Sequence, residues 1–128
     1  MRVLLDTRAF LWWVVEDPRL SARAQSVIKA QESDVLVSAV SAWEIAMKSA
    51  DARLDLPEPA QTYIPDRIAA NGFRELDVTV EHAARVAGLP AIHRDPFDRL
   101  LIAQAQVEGI PILTSDPAIA RYDVDIIW

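Results

Sequence analysis

Arg2-Val3-Leu4-Leu5-Asp6-Thr7 opens the chain with a short apolar run that stops at an acid. The same arrangement returns twice. Val35-Leu36-Val37 leads to Ser38 and on to Glu44, and Pro111-Ile112-Leu113 leads through Thr114-Ser115 to Asp116. Runs that are apolar at every position, rather than at alternate ones, read as strands buried on both faces. Segments with helical spacing lie between them, so strands and helices alternate. That order predicts an α/β chain with three layers, α/β/α, around a mainly parallel central sheet. In open sheets of this kind ligands bind outside the carboxyl ends of the strands.

Working outward, residues 2–5 read as the first strand and 8–16 as a helix carrying Phe10, Leu11, Val14 and Val15, broken by Asp17-Pro18. Ser21 is an expected N-cap for a helix over 22–31. After the strand at 35–37, Ser41-Ala42-Trp43-Glu44 is expected to open a helix to Ala50. Pro57 and Pro59 mark a loop, and 60–71 reads as a helix ended by Asn71-Gly72. A short strand at 74–77 follows, then a helix capped by Thr79 and stopped by Gly88 and Pro90. Asp95-Pro96 starts the longest helix, which Gly109 ends. The strand 111–113, a short helix from Asp116-Pro117 and a strand over 124–127 complete the chain. With no repeat, linker or low-complexity tract, 1–128 is expected to be one domain.

Composition narrows the function. The chain is 52% hydrophobic and 25% charged, which excludes a disordered protein. It has no cysteine, so no disulfide framework and no zinc–thiolate site is possible. The longest apolar run, Ala9 to Val15, is far short of the ~20 residues of a membrane span. No signal-peptide pattern precedes the first strand, and a cytoplasmic protein without a membrane role is the expectation. The net charge of −6 argues against nucleic-acid binding by a broad basic surface and leaves local contacts through arginine.

Asp6, Glu44, Asp98 and Asp116 each stand where a strand ends or a helix begins. Four carboxylates at one rim repel each other unless a cation sits among them, which points to a divalent-metal site for cutting phosphodiesters. Each also has a plainer reading. Asp6 and Asp116 suit helix N-caps, Ser41-x-x-Glu44 is a capping-box pattern, and Asp98 at N3 favours the helix dipole. Asp95 before Pro96 reads as a structural cap, and His93 as a satisfied loop histidine. Trp43 and Ile45 read as core. Of Trp12 and Trp13, adjacent and therefore on different helix faces, one is expected inside, and the other is open between packing and an interface.

Taken together, Leu4-Leu5-Asp6-Thr7, Ser38 with Ser41-Ala42-Trp43-Glu44-Ile45, His93-Arg94-Asp95-Pro96-Phe97-Asp98-Arg99-Leu100-Leu101-Ile102-Ala103 and Thr114-Ser115-Asp116 resemble the PIN-domain ribonucleases. Within them the resemblance is to the VapC-type toxins of type II toxin–antitoxin systems, over essentially the whole chain. It implies a PIN-like α/β/α fold and a Mg²⁺- or Mn²⁺-dependent endoribonuclease acting on RNA. Asp6, Glu44, Asp98 and Asp116 match the acidic quartet, and Thr7 and Ser115 match supporting polar positions. The implied partners are a small antitoxin whose C-terminal segment blocks the cleft and a second copy in a homodimer.

On that footing Asp6, Asp98 and Asp116 are expected to hold the metal. Glu44 is expected to ligate a second ion or orient the attacking water. Arg8, Arg94 and Arg99 are candidate phosphate contacts. Two positions depart from the family pattern: Arg8, where relatives carry a small polar residue or His, and Ala52-Arg53, where a Gly-Lys pair is common. The alternative is a PIN-like binding module, or a component of an antitoxin-held DNA-binding complex, with little nuclease activity. Phosphatase and receiver-domain readings fail on Arg8 and on the absence of a lysine beyond Lys48.

Overall fold

The structure, a computed structural model, describes residues 1–128. Five strands form one sheet: β1 (Arg2–Leu5), β2 (Asp34–Ser38), β3 (Arg74–Leu76), β4 (Ile112–Leu113) and β5 (Ile126–Ile127). Their order is β3-β2-β1-β4-β5, and every pairing is parallel. The chain therefore steps outward on one side of β1, then returns to the other side at β4. That reversal places a topological switch point between the carboxyl ends of β1 and β4, where open α/β sheets bind ligands.

The helices are α1 (Thr7–Val14), α2 (Ala22–Lys29), α3 (Ala39–Ala50), α4 (Ala60–Ala70), α5 (Val80–Arg85) and α6 (Pro96–Glu108). Successive strand residues point to opposite faces, and the core divides accordingly. Val3, Leu5, Val35, Val37 and Leu113 pack with Ala9, Phe10, Ala24, Ile28, Tyr63, Ile64 and Ile68 of α1, α2 and α4. Leu4, Leu36 and Ile112 pack with Leu101, Ile102 and Ala105 of α6 on the other side. The expected three layers are present, and the sheet is parallel throughout. No helix is long and apolar enough to cross a membrane.

Several boundaries move. β2 runs straight into α3, whose N-cap is Ser38, bonded through its hydroxyl to the Val40 amide at 3.0 Å. The expected Ser41 capping box does not form, because Ser41 and Glu44 already lie inside the helix. Only a short 3₁₀ turn, Ile119–Arg121, follows Asp116-Pro117, and β5 is confined to its last two expected residues. α1 begins at Thr7 and ends at Val14, short of the expected 16. Trp43, expected in the core, is 55% exposed, whereas Ile45 is fully buried. Both tryptophans of α1 pack inward. Trp12 lies against Trp128, and Trp13 donates to Asn71 Oδ1 at 2.9 Å.

Candidate active site

Four separate segments deliver the acidic residues to one cleft of about 260 Å³ beyond the carboxyl ends of β1 and β4. Asp6 follows β1 and caps α1, its Oδ1 accepting from the Ala9 amide at 2.7 Å. Glu44 projects from the middle of α3. Asp98 stands in the first turn of α6, where Asp95 caps the helix by accepting its amide at 3.0 Å. Asp116 follows β4 and accepts from the Ala118 amide at 2.9 Å. For Asp6 the cap and a place in the cleft coexist, as the sequence allowed. Asp95 also lines the cleft, beside the quartet.

Glu44 is buried and held at both oxygens. Thr7 Oγ1 lies 2.7 Å from its Oε1 and 2.9 Å from Ser41 Oγ. A carboxylate only accepts, so the single Thr7 proton goes to Glu44 and Ser41 donates to Thr7. Lys48, one turn along α3, pairs with Glu44 Oε2. Sequence reasoning missed Lys48 in this role; its i,i+4 spacing from Glu44 is the signal that could have found it.

On the other side, Thr114 donates its hydroxyl to Asp6 Oδ2 and accepts the Asp116 amide at 3.0 Å. Thr114 thus ties two of the acids together, whereas Ser115, the expected support, is exposed and makes no hydrogen bond. The pleat explains the exchange. Leu113 faces one core, so the next residue turns inward beside Asp6 and the one after turns out.

The basic residues divide. Arg8 is exposed at the cleft wall, near enough to lower the Asp6 pKa, and Arg53 lines the same cleft. Arg94 is exposed in the loop before α6. Arg99, an expected phosphate contact, is engaged instead by Pro90 O at 2.8 Å and the Tyr122 hydroxyl at 2.9 Å.

Five carboxylates against three cations line the cleft, and two of the acids, Asp98 and Asp6, have raised pKa values. Burial pushes the Asp98 carboxyl up to about 6. The His93 hydrogen bond opposes this, and the charges of Asp95, Asp116 and Glu44 add to it. Burial likewise raises Asp6 against the hydrogen bonds from Thr114 and Ala9. An acid-rich cleft whose possible metal donors are carboxylate and hydroxyl oxygens, with Asp6 and Asp98 both raised in pKa, fits a hard divalent cation. As the side chains stand, no three His, Asp or Glu residues come together as a ready-made metal-binding group. A larger groove of about 420 Å³ beside Trp43 and Ile64 is mainly apolar and lies away from this chemistry.

Comparison with known proteins agrees with the geometry. The chain is 32% identical to ribonuclease VapC22 of Mycobacterium tuberculosis over 115 residues, 89% of this chain and 86% of that one. The solved complex of VapBC2 from Rickettsia felis, bound to a promoter DNA fragment, superposes with a TM-score of 0.74 at 13% identity. It covers 99% of this chain and 98% of that one. A toxin–antitoxin complex from Klebsiella pneumoniae gives a TM-score of 0.61 at 15% identity, covering 98% and 96%. At such identities these two speak for the fold alone. The PIN domain profile matches residues 3–125, and with the carboxylates of β1, α3, α6 and β4 gathered in one cleft, the chain belongs to the PIN domain family.

Proposed function

We propose that this protein is a metal-dependent endoribonuclease, the toxin of a toxin–antitoxin pair, hydrolysing RNA phosphodiesters in the carboxylate cleft. The convergence of Asp6, Glu44, Asp98 and Asp116 at the sheet's switch point carries this reading. The 32% identity to a ribonuclease over most of the chain supports it. Mg²⁺ or Mn²⁺ is the cofactor this donor set suits, with Asp6, Asp98 and Asp116 as its holders, directly or through water. Such an ion supplies Lewis acidity and an acidified water.

The chain's own groups do the rest. Thr7 and Lys48 fix Glu44 so that its carboxylate faces the cleft and orients the attacking water. Arg8 and Arg53 offer bidentate donors to the phosphate on either side of the scissile bond. Water attacks phosphorus in line, the P–O3′ bond breaks, and the departing oxygen takes a proton, leaving 5′-phosphate and 3′-hydroxyl ends. A small antitoxin that covers this cleft, assembly as a homodimer and a cytoplasmic location complete the reading. That structural neighbours of this fold are toxin–antitoxin complexes supports an antitoxin partner.

The test is purified protein against Asp98→Asn on total RNA with Mg²⁺, Mn²⁺ or EDTA. Metal-dependent cleavage that the variant lacks is expected. Equal cleavage by both proteins, or cleavage that survives EDTA, overturns the reading.

A further inference from the structure

The loop before α6, the first turn of α6 and the end of the β4–β5 connection meet in a chain of hydrogen bonds behind Asp98. His93 Nε2 lies 3.1 Å from Asp98 Oδ2, and His93 Nδ1 lies 2.8 Å from the Tyr122 hydroxyl. That hydroxyl has two further neighbours, Arg99 Nη1 at 2.9 Å and the His93 backbone amide at 3.3 Å. Both of these can only donate, so they take the two lone pairs of the phenol oxygen. Its one proton must then point at Nδ1. An Nδ1 that accepts carries no hydrogen, and the neutral ring holds its hydrogen on Nε2, aimed at Asp98. Arg99 is itself fixed by Pro90 O, and Tyr122 is 5% exposed, so the orientation is built in rather than chosen by solvent.

From this geometry we infer that His93 is a positioning residue for Asp98, locked in the Nε2–H tautomer by Tyr122 and Arg99. The tie holds Oδ2 and leaves Asp98 Oδ1 without a hydrogen-bond partner, free to meet a cation in the cleft. Carboxylates that hold metals need such outer partners, and losing one typically costs about 10–100-fold in metal affinity or activity. The assignment also explains why Arg99 is turned from the cleft: its guanidinium orients the phenol instead of a phosphate. This inference rests on the reading of Asp98 as a metal-holding carboxylate.

Two side-chain amides separate the roles. The amide nitrogen of His93→Gln reaches the place of Nε2 and can donate to Asp98. The shorter amide of His93→Asn imitates only Nδ1. Mn²⁺ titration followed by electron paramagnetic resonance, on variants whose melting curves show them folded, is expected to give near-wild-type affinity for His93→Gln. His93→Asn is expected to bind about 10–100-fold more weakly. In parallel, nitrogen-15 NMR of the imidazoles reads the tautomer without any metal. The chain has only two histidines, so the signal missing in His93→Gln assigns His93. A wild-type His93 protonated on Nε2, with Tyr122→Phe admitting the other tautomer, supports the inference even if His93→Asn does not fold. Protonation on Nδ1, or equal Mn²⁺ affinity in wild type and His93→Asn, overturns it. If the wild type binds no Mn²⁺, the nuclease-site reading fails first and takes this assignment with it. That failure is distinct because it precedes any substitution.

Discussion

Thr7 Oγ1 donates to Glu44 Oε1 at 2.7 Å, joining the first residue of α1 to the middle of α3 across a buried contact. The bond sets where the Glu44 carboxylate stands relative to Asp6, which precedes Thr7 in the chain. It also completes the hydrogen bonding of Ser41, a fully buried hydroxyl.

Thr7→Val keeps the shape and removes the donor. Glu44 and Ser41 then lose a partner in a buried place, which costs about 1–3 kcal/mol. RNA cleavage is expected to fall about 10–100-fold, as for other losses behind a metal-site carboxylate, while Thr7→Ser retains most of both. Urea unfolding and a fluorescent RNA assay read the two effects. Full activity in a stable Thr7→Val protein would remove Thr7 from the site.

Thr114 and Ser115 make opposite predictions. Thr114 bridges Asp6 and the Asp116 amide, whereas Ser115 is exposed and unbonded. Thr114→Val is therefore expected to lower cleavage about 10–100-fold, and Ser115→Ala to leave it unchanged. The reverse order in the same assay would restore the family-based expectation for Ser115.

The residues that sequence alone placed well are those whose signals are local. Asp95-Pro96 reads as N-cap and N1 because both effects lie within one turn, and the structure has Asp95 accepting the Asp98 amide. The apolar runs of β1, β2 and β4 identify buried parallel strands in the same way. What failed depended on choices between neighbours. Ser38 and Ser41 both suit an N-cap. Ser38 prevails because its hydroxyl also donates to the buried Gln104 at 2.6 Å, a partner 66 residues away. That choice moves the helix start back and turns Glu44 from a capping residue into a cleft residue. Trp43 reads as core by type alone, yet the face of α3 it occupies has no covering element in this chain, and its ring rests edge-on against Phe97. The roles of Thr114 and Lys48 depend on partners brought together by the sheet and by one helix turn, and neither has a motif of its own.

Ala52 adopts φ 59°, a left-handed conformation, just after α3. Alanine, where the family resemblance implies glycine, thus carries a backbone cost, roughly 1–2 kcal/mol for an L-residue. Glycine removes that cost but frees the unfolded chain by about 0.4–1 kcal/mol. Ala52→Gly is expected to stabilise the protein by roughly 0.5–1 kcal/mol, seen as a small rise in melting temperature, and Ala52→Val to destabilise it. A lower melting temperature for Ala52→Gly would contradict this account.

The acidity of Asp98 predicts how pH and metal trade places. Its pKa stands at about 6 when folded against 3.8 for the ordinary group, chiefly through burial. Between those values the folded protein binds more protons than the unfolded chain, so the contribution of Asp98 is complete below 3.8 and lost as pH rises through about 6. Without divalent ions, lowering the pH from about 7.5 to about 5 should therefore raise the stability of the wild type relative to Asp98→Asn, which cannot titrate there. Asp6 is raised in both proteins and does not enter the difference. At the higher pH, where Asp98 is charged, Mg²⁺ or Mn²⁺ is expected to bind the folded state alone and so to raise the melting temperature in proportion to the logarithm of its concentration. At the lower pH the proton already occupies Asp98, and the metal-induced rise should shrink. Melting curves of both proteins at the two pH values, with and without Mn²⁺, give all of these differences. Identical responses in the wild type and Asp98→Asn would show that the buried charge at Asp98 is not what the cation relieves.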